Sequence, residues 1–345
     1  MSDINILDEV AEVLDRYITF PSEEARDAVV LWAAHTHYVD ALPTTPRLAV
    51  LSSEPGSGKS TVLKVLRYLV PRAVAAQHIT GPALLRLVKY QKPTILYDEI
   101  DTVFGGAGSS TRNQDVRAML NAGNERGTYN YRAVGPSDVV AEPLFAPVAL
   151  AGLGILPDTL MSRSIVVRMK SRKHGQPDIM DFEMEYDAEI VSPFGKELED
   201  WALSNMDKMR LIDPVVPGKN RTRQIWKPLF KIAQIAGGEW PDRVKRSFVE
   251  MTREPGKEQS LPHKLLSDLQ VVFTSGEGPR AYVPSSTLID ELTSVSDMWQ
   301  DLSPRSLADM LRRYGISTRT ANLPSGASVR AYHHSDLESV WERYL

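Results

Sequence analysis

The run Ser53-Glu-Pro-Gly-Ser-Gly-Lys-Ser60, followed by Thr61, has the residue types and spacing of a phosphate-binding loop. Gly56 and Gly58 let the backbone wrap an anion with its N–H groups pointing inward. Lys59 has the reach to touch β- and γ-phosphates, and the Ser60 hydroxyl is placed to ligate Mg²⁺. Glu54, Pro55, Ser57 and Thr61 complete the stretch expected to contact the nucleotide. Ser53 stands where the pattern G-x-x-x-x-G-K-[ST] has its first glycine, a position that mainly shapes the turn. A second element is Pro93-Thr-Ile-Leu-Tyr-Asp-Glu-Ile-Asp101, an apolar run that ends in adjacent acids. Two carboxylates at a strand's end are costly unless a cation or a substrate uses them. Asp98 is expected to hold Mg²⁺ through its water shell, and Glu99 to polarise an attacking water. Asp101 reads as a helix cap or a further supporting acid. The chemistry implied is Mg²⁺-dependent hydrolysis of a nucleoside triphosphate, with ATP and Mg²⁺ as cofactors.

Such residues work only when a strand, a turn and a helix place them. Leu48-Ala-Val-Leu51 reads as the strand before the loop, and Val62 to Val70 as the helix after it. Further strands are expected at 76–79, 94–97, 147–151 and 164–169, alternating with helices as in a parallel α/β sheet. Gly105 to Ser110 reads as a flexible loop, with a helix through Val116, Met119 and Leu120 after it. Gly127 to Val134 and Val139 to Phe145 flank Gly135-Pro136 as an inserted hairpin. Two helices are expected before the first strand, the second opened by Pro21-Ser-Glu-Glu. His35 and His37 fall on different helix faces, which favours packing over metal ligation. Beyond the sheet, helices are expected near 194–209, with Trp201 and Leu203 as core residues, at 220–237 and at 241–251. Pro228 should kink the second of these or mark its true start. Arg253 to Glu258 reads as a linker. Helices near 263–273, 285–292 and 303–314, a short strand at 328–332 and a closing helix then suggest a small winged-helix-like module. Its basic residues include Arg305, Arg312, Arg313, Arg319 and Arg330, which acids nearly balance. The segments implied are an N-terminal helical part (1–46), a P-loop core (47–175), a helical lid (176–256) and the C-terminal module (257–345).

Composition narrows the class. The 345 residues allow several modules, and 42% hydrophobic content suits ordinary cores. The chain has no cysteine, which excludes disulfides and thiolate metal sites. No apolar run spans a bilayer and no secretory leader opens the sequence, so a soluble, cytoplasmic protein without membrane contact is expected. A formal net charge of −4 excludes a polybasic nucleic-acid binder, so any DNA contact must be local.

The loop, the acidic strand, the hairpin, the arginine Arg163 before the last strand and the following helices together resemble an AAA+ P-loop ATPase. Four phrases are similar, more narrowly, to the helicase-type domain of unknown function found in actinobacterial phages and mobile elements, often fused to primase modules. They are Leu31 to His37; Ala149 to Leu160 with Ser162-Arg-Ser164; Trp226 to Leu229 with Ala236 to Pro241; and Val340 to Leu345. The resemblance implies that Arg163 is a finger reaching the γ-phosphate of a neighbouring subunit, hence a homo-oligomeric ring, with a hexamer favoured. It implies that Arg221, with Arg223 as the fallback, senses the γ-phosphate from the lid, against the plainer role of a charge at a helix end. Tyr129, Tyr131, Arg132 and the preceding Arg126 are placed to stack on bases and grip DNA phosphates, and equally to pair across the hairpin. One departure stands out: Val148-Ala-Leu-Ala-Gly152 ends without the Asn, Thr or Ser that positions the lytic water in the family, so either Asn121 or Asn124 supplies that contact or hydrolysis is slow until a partner completes the site. The expected function is an ATP-driven, helicase-like motor on DNA in phage or mobile-element replication. The alternatives are a loader or remodeller of a replicative helicase, primase or other protein partner, and a nucleotide-dependent regulatory protein.

Overall fold

A computed structural model describes residues 5–104, 114–154, 156–171, 179–252, 261–275, 278, 280–300, 302–312, 314–322 and 328–344. The expected Gly105 to Ser110 loop, the Arg253 to Glu258 linker and Arg313 lie outside them. The chain divides into two units, 1–253 and 254–345.

In the first unit, two capped helices open the fold. Asn5 accepts the Leu7 N–H at the start of α1 (Ile6–Tyr17), and Ser22 accepts the Ala25 N–H at the start of α2 (Glu23–Thr36). There follow β1 (Arg47–Ser52), α3 (Lys59–Leu69), β2 (Ala73–Ala76), α4 (Gly81–Gln91), β3 (Thr94–Tyr97), α5 (Asp101–Phe104) and α6 (Gln114–Ala122). Next come β4 (Tyr129–Val134), β5 (Asp138–Pro143), β6 (Val148–Leu153), α7 (Asp158–Met161) and β7 (Ser164–Arg168). The unit closes with α8 (Met184–Ser204), α9 (Met206–Leu211), α10 (Asn220–Ala236) and α11 (Trp240–Thr252).

Five strands form a parallel sheet in the order β2-β3-β6-β1-β7. Both faces are covered, so the interior strand β1 is buried along all six residues and reads as an apolar run from Leu48 to Leu51. Its side chains alternate between two cores. Leu48 and Val50 join the cluster built with α1, α2, α3, α8, α10 and α11; Ala49 and Leu51 join the one built with α4, α5, α6 and α7. Residues from 5–46, from the sheet and from the helices within 176–252 thus share one continuous core on the first face. An ion network ties that face together: Asp27, 3% exposed, accepts both Nε and Nη2 of Arg243 from α11, which also bonds Asp8 of α1. His35 is fully buried, its Nε2 meeting Thr45 Oγ1 at 2.8 Å, and burial pushes its pKa down to about 3. The ring is therefore a neutral packing element.

Several expectations need correction. The second strand lies at 73–76, three residues before the expected 76–79; its three alanines carry little strand propensity. α8 begins at Met184, ten residues before the expected start, and passes through Pro193; Asn205 then separates it from α9. Leu203 is 64% exposed, while Trp201 packs edge-on against Tyr38 at 5.7 Å. α10 continues through Pro228 instead of starting there. The carbonyl that Pro228 leaves without a helical donor, that of Gln224, accepts the Thr44 hydroxyl at 3.4 Å.

The second unit contains α12 (Leu261–Thr274), β8 (Tyr282–Pro284), α13 (Ser285–Val295), α14 (Pro304–Arg312), β9 (Arg319–Asn322), β10 (Ser328–His333) and α15 (His334–Tyr344). A three-stranded antiparallel sheet, β8-β10-β9, packs with these helices around Phe273, Trp299 and Trp341. Arg312 pairs with Asp309 and Arg319 with Asp336, so part of this module's basic charge is neutralised locally.

Candidate functional site

The glycine-rich turn leaves the C-terminal end of β1 and feeds α3, so its backbone N–H groups gather at a helix N-terminus. Gly56 (φ 73°) and Gly58 (φ 83°) adopt left-handed conformations that a side chain would oppose. Ser53 is not among the positive-φ residues, so a glycine is not needed there. Lys59, 9% exposed, is folded over the loop: its Nζ donates to Ser52 Oγ (2.6 Å), Glu54 O (3.1 Å) and Ser57 Oγ (3.2 Å). Its ammonium is thereby aimed by groups of the loop itself, as a preformed phosphate contact requires.

Two cavities meet this turn. One, of about 340 Å³, is walled by Gly56 to Thr61, by Tyr17, Ile18 and Thr19 from the end of α1, and by Ile179 to Phe182 before α8. Tyr17 is fixed there by its hydroxyl bond to Asp187 (2.9 Å) and an edge-on contact with Phe182 (5.1 Å). The other, of about 320 Å³, brings together Ser60 and Asp98. β6 lies between β1 and β3, so the acids sit two strand spacings, roughly 10 Å, from the loop's strand. A terminal phosphate, a cation and a water fit in such a gap.

Asp98 Oδ1 accepts the Glu99 N–H at 3.0 Å. Glu99 is exposed and has φ 55°, an uncommon conformation for a residue with a side chain and one that concentrates at functional sites. Asp101 Oδ1 accepts the Leu153 N–H at 3.1 Å. A Cβ at Gly152 would lie 2.8 Å from that same oxygen. The polar group at the end of β6 is therefore Asp101, and it occupies the space that a side chain at 152 would need. Asn121 and Asn124 do not supply it. Asn121 Nδ2 bonds Arg117 O within α6, and Asn124 O accepts the Thr45 N–H ahead of β1, at the far edge of the sheet. Among the described residues no cluster of three or more His, Asp or Glu forms a metal cage. Ser60 and Asp98, which line one cavity, are the groups there that could hold a cation together with oxygen ligands from outside the protein.

Arg163 lies at that far edge. Its carbonyl accepts the Arg47 N–H at the start of β1, about 17 Å along the strand from Ser52. Arg221 lies beside it and not beside the loop: its Nη1 is 3.8 Å from Glu125 Oε1, which also accepts Gln224 Nε2 at 3.2 Å. Arg163 is held below its ordinary pKa by burial and then by the Arg221 charge, with Glu125 opposing. Arg163 Nε and Arg221 Nη1 are buried without a hydrogen-bond acceptor. Arg163 Nη1 donates to Thr159 O, and the two guanidiniums share the single carboxylate of Glu125, so positive charge is in excess at this edge. The expected γ-phosphate sensor Arg221 is thus placed away from the phosphate loop of its own chain. Arg223 bonds Gly218 O. Beneath the pair, Arg47 is fully buried; its guanidinium binds the carbonyls of Met119, Leu120 and Ala146 and fixes the end of α6. Burial, with the nearby Arg163 charge, pushes Arg47 down to about 9.

The hairpin forms its own two-stranded sheet. Tyr129 and Tyr131 are 47% and 69% exposed, with rings 6.3 Å apart on one face. Arg132 pairs across the strands with Glu142 at 3.2 Å. Arg126 does not belong to this surface: it binds the carbonyls of Val39 and Leu42 and lies 4.6 Å above the Phe145 ring. Its placement as a DNA contact is corrected to a brace between the hairpin base and the segment after α2.

Sequence reasoning missed Tyr17 to Thr19, Ile179 to Phe182, Arg47 and Glu125. Nothing local marks them, because each enters through packing of distant segments. Asp101 was visible, three residues after Asp98, but its contact with β6 was not.

A family model described as a protein of unknown function (DUF3631) matches residues 168–344, just over half of the chain. The loop and the acids lie N-terminal to the matched part. An uncharacterized 28.9 kDa protein in the xis 5' region of Saccharopolyspora erythraea is 25% identical over 166 residues, 46% of this chain. The chain spans 62% of the length of that relative. No helix among the described residues is long and apolar enough to cross a membrane.

Proposed function

We propose that this chain, which belongs to the DUF3631 family of proteins of unknown function, is a Mg²⁺-dependent ATPase of the AAA+ type that acts as a motor on DNA. One observation carries the reading: a loop lysine aimed by its own loop faces, across a single intervening strand, a left-handed Asp-Glu turn. The sheet order, with a hairpin between β3 and β6, supports the AAA+ assignment, and the helices and three-stranded sheet of 261–344 support a winged-helix-like module.

In this reading Ser60 and Asp98 would hold Mg²⁺, which would supply neutralisation of the phosphate charge. Lys59 exchanges its loop acceptors for phosphate oxygens, and the N–H groups of 56–61 surround the β-phosphate. Glu99 accepts the proton of the attacking water, while Asp101 fixes the end of β6 beside it. Arg163 and Arg221, too far from their own loop, complete the site of a second copy, so activity requires a ring or filament. A hexameric ring around DNA is the assembly proposed, with Tyr129 and Tyr131 presented to bases.

A second reading has a specific observation behind it. With Arg126 and Arg132 engaged internally, the hairpin exposes chiefly Tyr129, Tyr131, Val134 and Val139, a surface equally suited to a protein cargo such as a replicative helicase or primase. DNA-stimulated ATPase and strand-displacement assays on the purified chain test the motor. Stimulation by single-stranded DNA, lost in Tyr129→Ala/Tyr131→Ala, is expected. Stimulation by a protein partner alone would favour the loader.

A further inference from the structure

A recess of about 320 Å³ opens at the N-terminal edge of the sheet, under the base of the β4–β5 hairpin. It is bounded by residues ahead of β3 and β6, whereas the phosphate loop follows the opposite end of β1. Its walls are largely aliphatic. Val39 enters after α2, Pro71 before β2, Pro143 at the end of β5, Leu203 in the last turn of α8 and Met206 at the start of α9. Leu203 and Tyr129, which also lines the recess, are both exposed. Apolar surface is therefore left uncovered beside a hollow with room for a bulky side chain.

The rim is basic. Asp40 and Glu199 are the acids of the lining, and they already face Lys92 at 3.5 Å and Lys196 at 3.0 Å. Arg72, Lys89 and Arg126 line the same recess with neutral partners. Arg72 Nε donates to Lys92 O, Lys89 Nζ lies 5.2 Å from the Tyr90 ring, and Arg126 binds the carbonyls of Val39 and Leu42. Carbonyls and a ring occupy these groups without cancelling their charge. The occupant that complements an aliphatic hollow under excess positive charge carries an apolar anchor flanked by acids. A cationic segment is repelled. A single-stranded nucleic acid meets the cations but not the walls, because bases stack on ring faces. The Phe145 ring already lies under Arg126, at 4.6 Å, which leaves Tyr129 as the stacking surface among mostly aliphatic neighbours.

We propose that this recess docks an acidic peptide segment of a partner protein, with a Leu, Phe or Trp side chain between Val39, Pro143 and Leu203 and carboxylates on Arg72, Lys89 and Arg126. The segment binds at the end of the sheet away from the phosphate loop, so docking does not depend on the nucleotide reading. The probe is a displayed library of random dodecapeptides, selected on the full-length chain and counter-selected on its Leu203→Glu/Lys89→Glu variant. Both replaced side chains are exposed, and matched melting curves confirm that the variant is folded. Enriched sequences are expected to place Asp or Glu beside Leu, Phe or Trp. Synthetic labelled copies, read by fluorescence anisotropy, should bind about tenfold or more weakly to Leu203→Glu and to Lys89→Glu alone, and more weakly as salt is raised. Replacing the peptide's own apolar residue by alanine should cost about tenfold or more. The proposal is overturned if no peptide is enriched over the variant, if the enriched peptides lack acids or lack an apolar residue, or if they bind both single variants like the parent. A labelled single-stranded oligonucleotide that loses affinity in both single variants, with no peptide enriched, would assign the recess to a strand and overturn the proposal as well.

Discussion

Replacing Gly152 by alanine adds one methyl group where β6 meets the acidic turn. On the observed backbone that Cβ lies 2.8 Å from Asp101 Oδ1 and 2.8 Å from Ile100 Cγ2, inside any tolerable contact. Ile100 is fully buried and has nowhere to retreat. Asp101 must therefore rotate and give up the Leu153 N–H, an ionised hydrogen bond of about 1.5 kcal/mol. The residual overpacking against Ile100 adds about 1 kcal/mol, the lower end of its usual range. A loss of about 2–3 kcal/mol lowers the melting temperature of a unit this size by roughly 5–10 °C. Because Asp101 begins α5 two residues after Glu99, its displacement also disturbs the turn that presents Glu99, the proposed general base. Turnover is expected to fall by about tenfold or more, while nucleotide affinity, set by the loop on β1, changes little. Calorimetric melting and phosphate release on the same preparation measure both. A Gly152→Ala protein that melts and turns over like the parent would refute the placement of Asp101 as the polar group of this strand end.

Glu99→Gln keeps the side-chain length, and neither residue is favoured over the other at φ 55°, so the variant should fold and bind ATP normally; its turnover should drop by about a hundredfold or more in single-turnover assays, the loss expected for a general base. Mixing Lys59→Ala with Arg221→Ala subunits should restore ATPase activity that neither shows alone, since one supplies the edge and the other the loop; mixtures as inactive as their components would return Arg221 to its own chain's site. Asp27→Ala strands Arg243 in a largely buried position, and urea unfolding should show a loss of about 3 kcal/mol, whereas a change under 1 kcal/mol would mean the network is not holding α11 to α2.

Much of this arrangement could be read along the chain, for definite reasons. β1 and β3 are short apolar runs bounded by turn residues, and the hairpin is marked by Gly135-Pro136 between alternating segments. What escaped reading is what packing decides. Three alanines disguise β2; α8 starts well before the expected Phe194 and runs through Pro193, and α10 runs through Pro228, for which the sequence allows a kink or a start. Arg221 opens a helix in either reading; only the course of α10 across the sheet edge places it with Arg163 and Glu125. Arg126 next to a hairpin suggested a DNA contact, but carbonyls of Val39 and Leu42, more than eighty residues earlier, already bind it. Local pattern identifies a loop and its acids; which edge a side chain serves depends on the tertiary crossing.

The central claim is that MgATP is cleaved between the 56–61 loop and the Asp98-Glu99 turn. Steady-state release of inorganic phosphate from MgATP by the purified chain, alongside its Lys59→Ala variant, tests it most directly. The account predicts turnover by the parent that requires Mg²⁺ and disappears in the variant. Phosphate release that is equal in the two proteins would contradict it, as would a folded parent that releases none at any protein concentration, with or without DNA.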